Sequence, residues 1–232
     1  MTQDKPRGCE NEETFEIVED ALRNLWTVAN ELSRIQPPQP KFFRVTIFGS
    51  ARVKPGQPLY EEVKELARQL AEMGCDIVTG GGPGLMQAAN EGEHLGDPGG
   101  ATRSIGLPIH LPFEDGANPF VEKMYMHRTF FSRLHQFVRL SSAFIVVDGG
   151  IGTTLEALLV WQLLQVRHID DVPLIFLGKM WEGLLDWARQ SMLSSDPPFA
   201  NAEDLDIPTC ALTVEEAVNL IRPLKARFDA AR

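Results

Sequence analysis

The stretch Val146-Val147-Asp148-Gly149-Gly150-Ile151-Gly152-Thr153-Thr154-Leu155-Glu156 packs glycines, hydroxyls and two carboxylates into a few residues. The apolar run Ala143 to Val147 reads as a buried strand, and the apolar spacing from Leu155 to about Leu164 reads as a helix. Three glycines turn the chain between them. A glycine loop feeding a helix start aims unpaired backbone N–H groups, and the positive end of the helix dipole, at one spot. The expected guest is an anion, most often a phosphate. Glu156 is the carboxylate nearest that spot, available for chemistry at its edge. As the last residue of Thr153-x-x-Glu156 it equally fits a capping box, returning to the Thr153 N–H. Asp148 is the other carboxylate of the loop, and its structural reading is a turn residue at a strand end.

Two further small-residue turns follow strands. Val45 to Phe48 runs into Gly49-Ser50-Ala51-Arg52, whose Ser50 and backbone N–H groups are candidate donors, although a plain tight turn explains them as well. Cys75 to Thr79 runs into Gly80-Gly81-Gly82-Pro83-Gly84, more glycine than one turn requires, which marks positive φ or a ligand close to Gly81 and Gly82. The spacing is not that of a dinucleotide fingerprint, because Leu85 takes its last glycine position, and no GxxxxGK[ST] loop is present. One cation stands out on the expected helix Arg128 to Leu140. Arg133 lies three residues after Phe130 and four before Phe137, on the apolar side, whereas Arg139 belongs to the polar stripe. A charge there needs a carboxylate in an ion pair or an anionic ligand.

Other chemistries lack their residues. His94, His110, His127, His135 and His168 show no metal-ligand spacing, so no metal is expected. No serine sits in a GxSxG elbow, and Cys9, Cys75 and Cys210 form no CxxC pair, which indicates a reducing compartment without disulfide or zinc. A net charge of −10 argues against a nucleic-acid or anionic membrane partner. The polar, acidic N-terminus is unlike a signal peptide, and no apolar run is long enough to span a bilayer, so a cytoplasmic location is expected.

The elements that must position these residues alternate. Further strands are expected at Ser104 to Leu107, Pro173 to Leu177 and Thr209 to Leu212, and helices at Tyr60 to Met73, Leu85 to His94 and Trp181 to Leu193. A capping box at Thr213 to Glu216 opens the last helix. Such alternation predicts one α/β domain with a parallel sheet, helices on both faces and its ligand at the carboxyl ends of the strands. Residues 41–232 form that domain, and residues 1–40 a tail and an amphipathic helix built on Phe15, Val18, Leu22, Leu25, Ala29 and Leu32 and ended by Pro37, Pro38 and Pro40. The helix serves its own domain or a dimer contact. The irregular stretch 109–124 is long enough to be a wall or lid over the site.

Gly80-Gly81-Gly82-Pro83-Gly84-Leu85-Met86 followed by Asp148 to Glu156 resembles the GGGxxGLM and PGGxGTxxE motifs of the LOG ("lonely guy") family, often labelled lysine decarboxylase-like. The similarity runs from about Val45 to about Ile221, and Leu107 to Glu114 resembles the bacterial nucleotide nucleosidases of the group. The resemblance implies a Rossmann-like fold, a homodimer or higher homo-oligomer, no cofactor, and hydrolysis of the N-glycosidic bond of a nucleoside 5′-monophosphate to free base and ribose 5-phosphate, as in cytokinin activation. Gly149, Gly150, Gly152 and Thr153 then hold the phosphate, Arg133 and Glu156 serve catalysis, and Gly49, Ser50, Gly81, Gly82 and Asp148 complete the pocket. The alternative is a non-catalytic carrier of a nucleotide or phosphorylated cofactor on the same fold. Pyridoxal chemistry, which the older label suggests, has no motif here; Lys123 and Lys179 are the nearest lysines. The chain departs from the family pattern at Leu134, where lysine is usual, at Phe137, where methionine is usual, and at Asp148, where proline is usual. A lost cation and a gained anion lower the local positive potential.

Overall fold

A computed structural model describes residues 14, 16–25, 41–109, 116–170 and 172–232. By packing, the chain divides into Met1–Lys41 and Phe42–Arg232. In the first unit helix α1, described across 16–25, leaves Val18, Leu22 and Leu25 exposed and pairs Arg23 with Glu19 at 2.8 Å. Phe15, Ala29, Leu32 and the prolines expected to end this helix lie outside the described residues, as do Cys9 and His110 to Glu114.

The second unit is an α/β fold. Its strands are β1 (Arg44–Phe48), β2 (Asp76–Thr79), β3 (Ser104–Gly106), β4 (Lys123–Met124), β5 (Ala143–Val146), β6 (Leu174–Leu177) and β7 (Pro208–Ala211). They form one parallel sheet in the order β4-β3-β2-β1-β5-β6-β7, with registers such as Val45 opposite Ile77 and Ala143. Successive strand residues enter opposite cores. Val45, Ile47, Ile77, Ala143, Ile145 and Val147 pack under helices α2 (Pro58–Glu72), α3 (Leu85–Gly96) and α8 (Val214–Ala230). Phe48, Val78, Phe144, Val146 and Phe176 pack under α4 (Phe130–Leu140), α5 (Ile151–Gln165) and α6 (Lys179–Ala188). Burial on both faces is why these strands read as continuous apolar runs.

The strand order fixes the position of the site. The chain moves outward from β1 to β4 and then crosses back through α4 to lay β5 on the other side of β1. Connections on either side of β1 therefore leave in opposite directions, which opens a crevice at the carboxyl ends of β1 and β5.

Three expectations change. A two-residue strand, β4, lies inside the stretch read as irregular; its side chains are exposed and polar or flexible, so it carries no periodic signal. The expected helix Trp181 to Leu193 starts at Lys179, is α-helical to Ala188 and continues as a π turn over Arg189–Leu193, followed by a short helix α7 (Ala202–Leu205). At the last helix Thr213 accepts the Glu216 N–H at 3.2 Å, but the Glu216 carboxylate bonds the N–H of Leu212, at 2.6 Å, one residue before the N-cap.

Candidate active site

Arg133 is placed by an interrupted β-ladder. The Leu107 N–H bonds to Thr79 O at 2.9 Å, and in a parallel pair the carbonyl of the same residue faces the same neighbour. Strand β2 has ended there, because the chain turns away at Gly80 and Gly81. Arg133 Nε takes the vacated position on Leu107 O at 2.7 Å. The guanidinium then lies over Gly80, where a Cβ would come within 2.2 Å of Nη2. One turn along α4, the Phe137 ring centroid is 5.2 Å from the guanidinium carbon. Nη1 meets Glu156 Oε1 at 3.1 Å, with each side chain 12% exposed. Of the remaining residues of the expected apolar side, Phe137 is buried while Phe130 is half-exposed. Arg139 is exposed.

Glu156 is not a cap. Helix α5 begins at Ile151, earlier than the apolar spacing suggested, with Gly150 as N-cap and no side-chain cap bond. Glu156 therefore sits in the second turn, whereas a capping box needs its acid at the third helical position. Burial pushes its carboxyl up to about 7, and the Arg133 charge opposes a further rise. A carboxyl that titrates near neutrality beside a fixed cation suits proton transfer.

The loop before α5 has the form of an anion cradle. The first intrahelical bond is Thr154 N–H to Gly150 O at 2.9 Å, so the N–H groups of Ile151, Gly152 and Thr153 precede the ladder. Gly150 and Gly152 are exposed, and a Cβ on either would meet nothing within 4 Å. Gly149 rests on Thr153, whose Oγ1 would stand 2.2 Å from a Cβ there. Across the crevice the Ser50 N–H is taken by Asp148 O at 3.1 Å, and Ser50 Oγ accepts the Arg52 N–H at 3.1 Å. Ser50 thus ties the two loops together through its backbone, and its N–H is not available as a ligand donor. Gly49 sits against Val147 and Leu85 with no room for a side chain. Asp148 turns towards Gly178; its Oδ1 is buried without a hydrogen-bond partner among the described residues, and burial raises its pKa.

The Gly80 to Gly84 loop is held by side chains that sequence reading missed. Thr79 Oγ1 accepts the Gly81 N–H at 2.9 Å and donates to Asn90 Oδ1 at 2.7 Å, while Asn90 Nδ2 donates to Ser104 Oγ at 2.8 Å. Asn118 bonds the carbonyls of Gly81 and Gly82 through its Nδ2, at 3.1 and 3.0 Å, and Gly81 O again through its backbone N–H. Asn118 belongs to the stretch expected to be a wall or lid, and its bonds make residues 116–122 a wall. No local pattern marks Asn118 or Asn90, because their partners are distant in sequence, and nothing local ties Gly80 of the glycine run to Arg133. His127, buried beside Ser132, was likewise passed over as a histidine without metal spacing.

Among the described residues no group of three His, Cys, Asp or Glu side chains is arranged to hold a metal ion, and no helix is long and apolar enough to cross a membrane. Cys75 and Cys210 are free thiols. Lys123 lies exposed on β4, its ammonium 5.1 Å from the Tyr125 ring centroid, and Lys179 is the exposed first residue of α6. Neither lysine is enclosed as a pyridoxal-bearing lysine must be.

The chain is similar in sequence and in fold to known proteins. A pyrimidine/purine nucleotide 5′-monophosphate nucleosidase of Escherichia coli (strain K12) is 31% identical over 141 residues, 58% of this chain and 30% of that protein. The chain thus matches under a third of that relative's length. Cytokinin riboside 5′-monophosphate phosphoribohydrolase LOG2 of Arabidopsis thaliana is 26% identical over 192 residues, 82% of this chain and 87% of its own. In fold, the molybdenum cofactor carrier protein of Chlamydomonas reinhardtii superposes with a TM-score of 0.58 at 19% identity, covering 80% of this chain and 99% of that one. The family model described as "Possible lysine decarboxylase" matches residues 86–221, more than half of the sequence and the stretch that holds Arg133, the glycine loop and Glu156, and the chain belongs to that family.

Proposed function

We propose that this protein hydrolyses the N-glycosidic bond of a nucleoside 5′-monophosphate, releasing the free base and ribose 5-phosphate. The observation that carries the reading is the buried Arg133–Glu156 pair, one and a half turns along α5 from an open glycine cradle. The two relatives named above act on nucleoside 5′-monophosphates by name, which supports the substrate class. In this reading the phosphate sits on the N–H groups of Ile151, Gly152 and Thr153, beside Gly149 and Gly150. The C1′–N bond breaks through an oxocarbenium-like state, and a water oxygen bonds to C1′. Glu156 takes one proton from the water and gives it up to the departing base nitrogen, which returns Glu156 to its ionised form. Arg133 favours the ionised form of Glu156 against its burial and fixes its direction. Since Glu156 titrates at about 7 in the free protein, kcat/KM rises with pH through that value and levels off above it.

Asp148 favours a second reading, that of a carrier on the same fold. Its carboxylate, with Oδ1 unpartnered among the described residues, adds negative charge beside the cradle and weakens the site for a dianion. Incubation with AMP, GMP, CMP, UMP and N6-isopentenyl AMP, followed by chromatography for free base, separates the two. Base released by the wild type and not by Glu156→Gln or Arg133→Ala is expected; tight binding of every nucleotide without turnover establishes the carrier.

A homo-oligomer belongs to the same proposal. Helix α5 bears one charged residue and is apolar on all sides, and its Ile151, Leu155 and Leu158 stay exposed, as do Phe130 and Phe131 of α4. A helix apolar all round is normally covered on all sides. A second copy of the chain covers this one, and light scattering that gives the monomer mass would refute it.

A further inference from the structure

The first turn of α4 is not pinned by apolar packing. Phe130, Phe131 and Ser132 are exposed, and the helix buries only Phe137 fully. Yet the next residue, Arg133, must hold its guanidinium on Leu107 O and Glu156 to within a few tenths of an ångström for the site to exist. A polar clip takes the place of packing. Thr129, the N-cap, accepts the Ser132 N–H at 3.2 Å and donates its hydroxyl proton to Ser132 Oγ at 3.0 Å. Ser132 Oγ passes its own proton to Thr129 O at 3.0 Å and stands 3.0 Å from His127 Nδ1. With that single hydroxyl proton given to Thr129 O, the ring acts as the donor, and the clip then has the His127 proton on Nδ1. Burial and the Arg133 charge lower the pKa of the ring, while the nearby Gln136 amide opposes them. The other end of the clip is rigid: His127 N–H bonds Pro108 O at 2.9 Å, next to the Leu107 carbonyl that holds Arg133. Two successive carbonyls of the β3 extension thus anchor the arginine and the residue that secures its helix.

We propose that His127 is a positioning residue of the site, acting through its Nδ1–H bond to Ser132 to hold the first turn of α4 and, with it, the Arg133 guanidinium against Glu156. As a contribution to turnover this rests on the hydrolytic reading above; as a device that aims Arg133 it does not. The two are tested together on the full chain. The carboxyl of Glu156 is followed by infrared difference titration, with Glu156→Gln identifying its band, and kcat and KM are measured on the nucleotide that the wild type turns over. Asparagine places an amide where Nδ1 stands, and glutamine where Nε2 stands. Loosening Arg133 removes the charge that restrains Glu156, so His127→Ala and Ser132→Ala are expected to move its titration upward from about 7. They are also expected to lower kcat by about tenfold to a hundredfold with KM little changed. His127→Asn restores both and His127→Gln restores neither. An unshifted Glu156 titration in His127→Ala, or rescue by glutamine in place of asparagine, overturns the proposal. Should His127→Ala fail to fold, Ser132→Ala breaks the same bond from an exposed position. Should no nucleotide be hydrolysed, the infrared titration decides the positioning role while the hydrolytic reading fails separately.

Discussion

The two glycine loops at the head of the sheet look alike in sequence and are used in opposite ways. In Gly80 to Gly84 the missing side chains make room for the protein itself. Arg133 occupies the space over Gly80, Met86 that beside Gly82, and the backbone of Ser50 and Ala51 that against Gly84. The Thr79, Asn90 and Asn118 network then fixes the loop from below. In Gly149 to Gly152 only Gly149 is crowded; Gly150 and Gly152 face open space. Glycine thus serves as a fitted part of the wall in one loop and as bare backbone in the other. The helices that follow repeat the contrast. Each carries a buried carboxyl pushed up to about 7: Glu93 on α3, bonded to the Thr102 hydroxyl with Asp97 and Glu122 nearby, and Glu156 on α5, beside Arg133. Burial raises both carboxyls; acidic neighbours add to the rise in one case and a basic neighbour opposes it in the other.

The largest effect that separates the loops is expected at Gly84. Its φ of 73° and ψ of −133° lie where side chains are scarcely tolerated, and a Cβ would stand 2.4 Å from Ser50 O, a backbone atom that also accepts the Leu85 N–H. Gly84→Ala is expected to cost about 3–5 kcal/mol in urea unfolding, or to leave no folded protein. A loss below about 1 kcal/mol would mean that this loop is not built around its glycines.

Gly80→Ala should spare the fold and damage the chemistry, because the atom in the way is the end of a side chain. The guanidinium must leave Leu107 O or Glu156. Turnover is expected to fall about a hundredfold, close to the effect of Arg133→Ala, while the melting temperature changes by a few degrees. Equal losses of stability in Gly80→Ala and Gly84→Ala would erase the distinction between them.

The carboxyls give a comparison in pH. Each has its folded pKa raised from 4.5 to about 7, so between those values the folded state binds more protons than the unfolded state. Their contribution to stability is present in full below about 4.5 and is lost as pH rises through 7, at about 1.4 kcal/mol per pH unit for each group where it is steepest. Glu93→Gln and Glu156→Gln are each expected to flatten part of that slope in denaturation followed from pH 5 to pH 8. Activity tells them apart: only Glu156→Gln abolishes base release.

Legibility in the sequence follows the same division. The parallel sheet was readable because strands buried on both faces are short apolar runs, and α5 with its loop because glycines between an apolar strand and an apolar helix leave few other foldings. Arg133 was readable as a charge on an apolar helix side, but its partner was not, since ion pair and ligand satisfy that rule equally. Leu107 O was invisible because a backbone carbonyl has no residue type, and the role of Gly80 was hidden because only the fold brings that glycine under a residue of α4. Glu156 fits a cap as well as a catalyst in the sequence because the apolar spacing starts the helix after the glycines; α5 absorbs Gly152 and begins at Ile151, which removes the cap.

The smallest expected effect tests the open loop. Gly152 is the second residue of α5, and a Cβ there would touch nothing within 4 Å. Alanine loses less backbone entropy than glycine on entering a helix, so Gly152→Ala should leave stability unchanged or raise it by up to about 1 kcal/mol. The new methyl group would stand where a phosphate has to approach the N–H groups of the first turn. KM for the nucleotide is therefore expected to rise, with kcat at saturation changed far less, because Arg133 and Glu156 are left in place. Stability and affinity would then move in opposite directions at a glycine whose only neighbour is the ligand. Loss of stability with unchanged KM would show that the protein itself uses that space, and the two loops would then not differ.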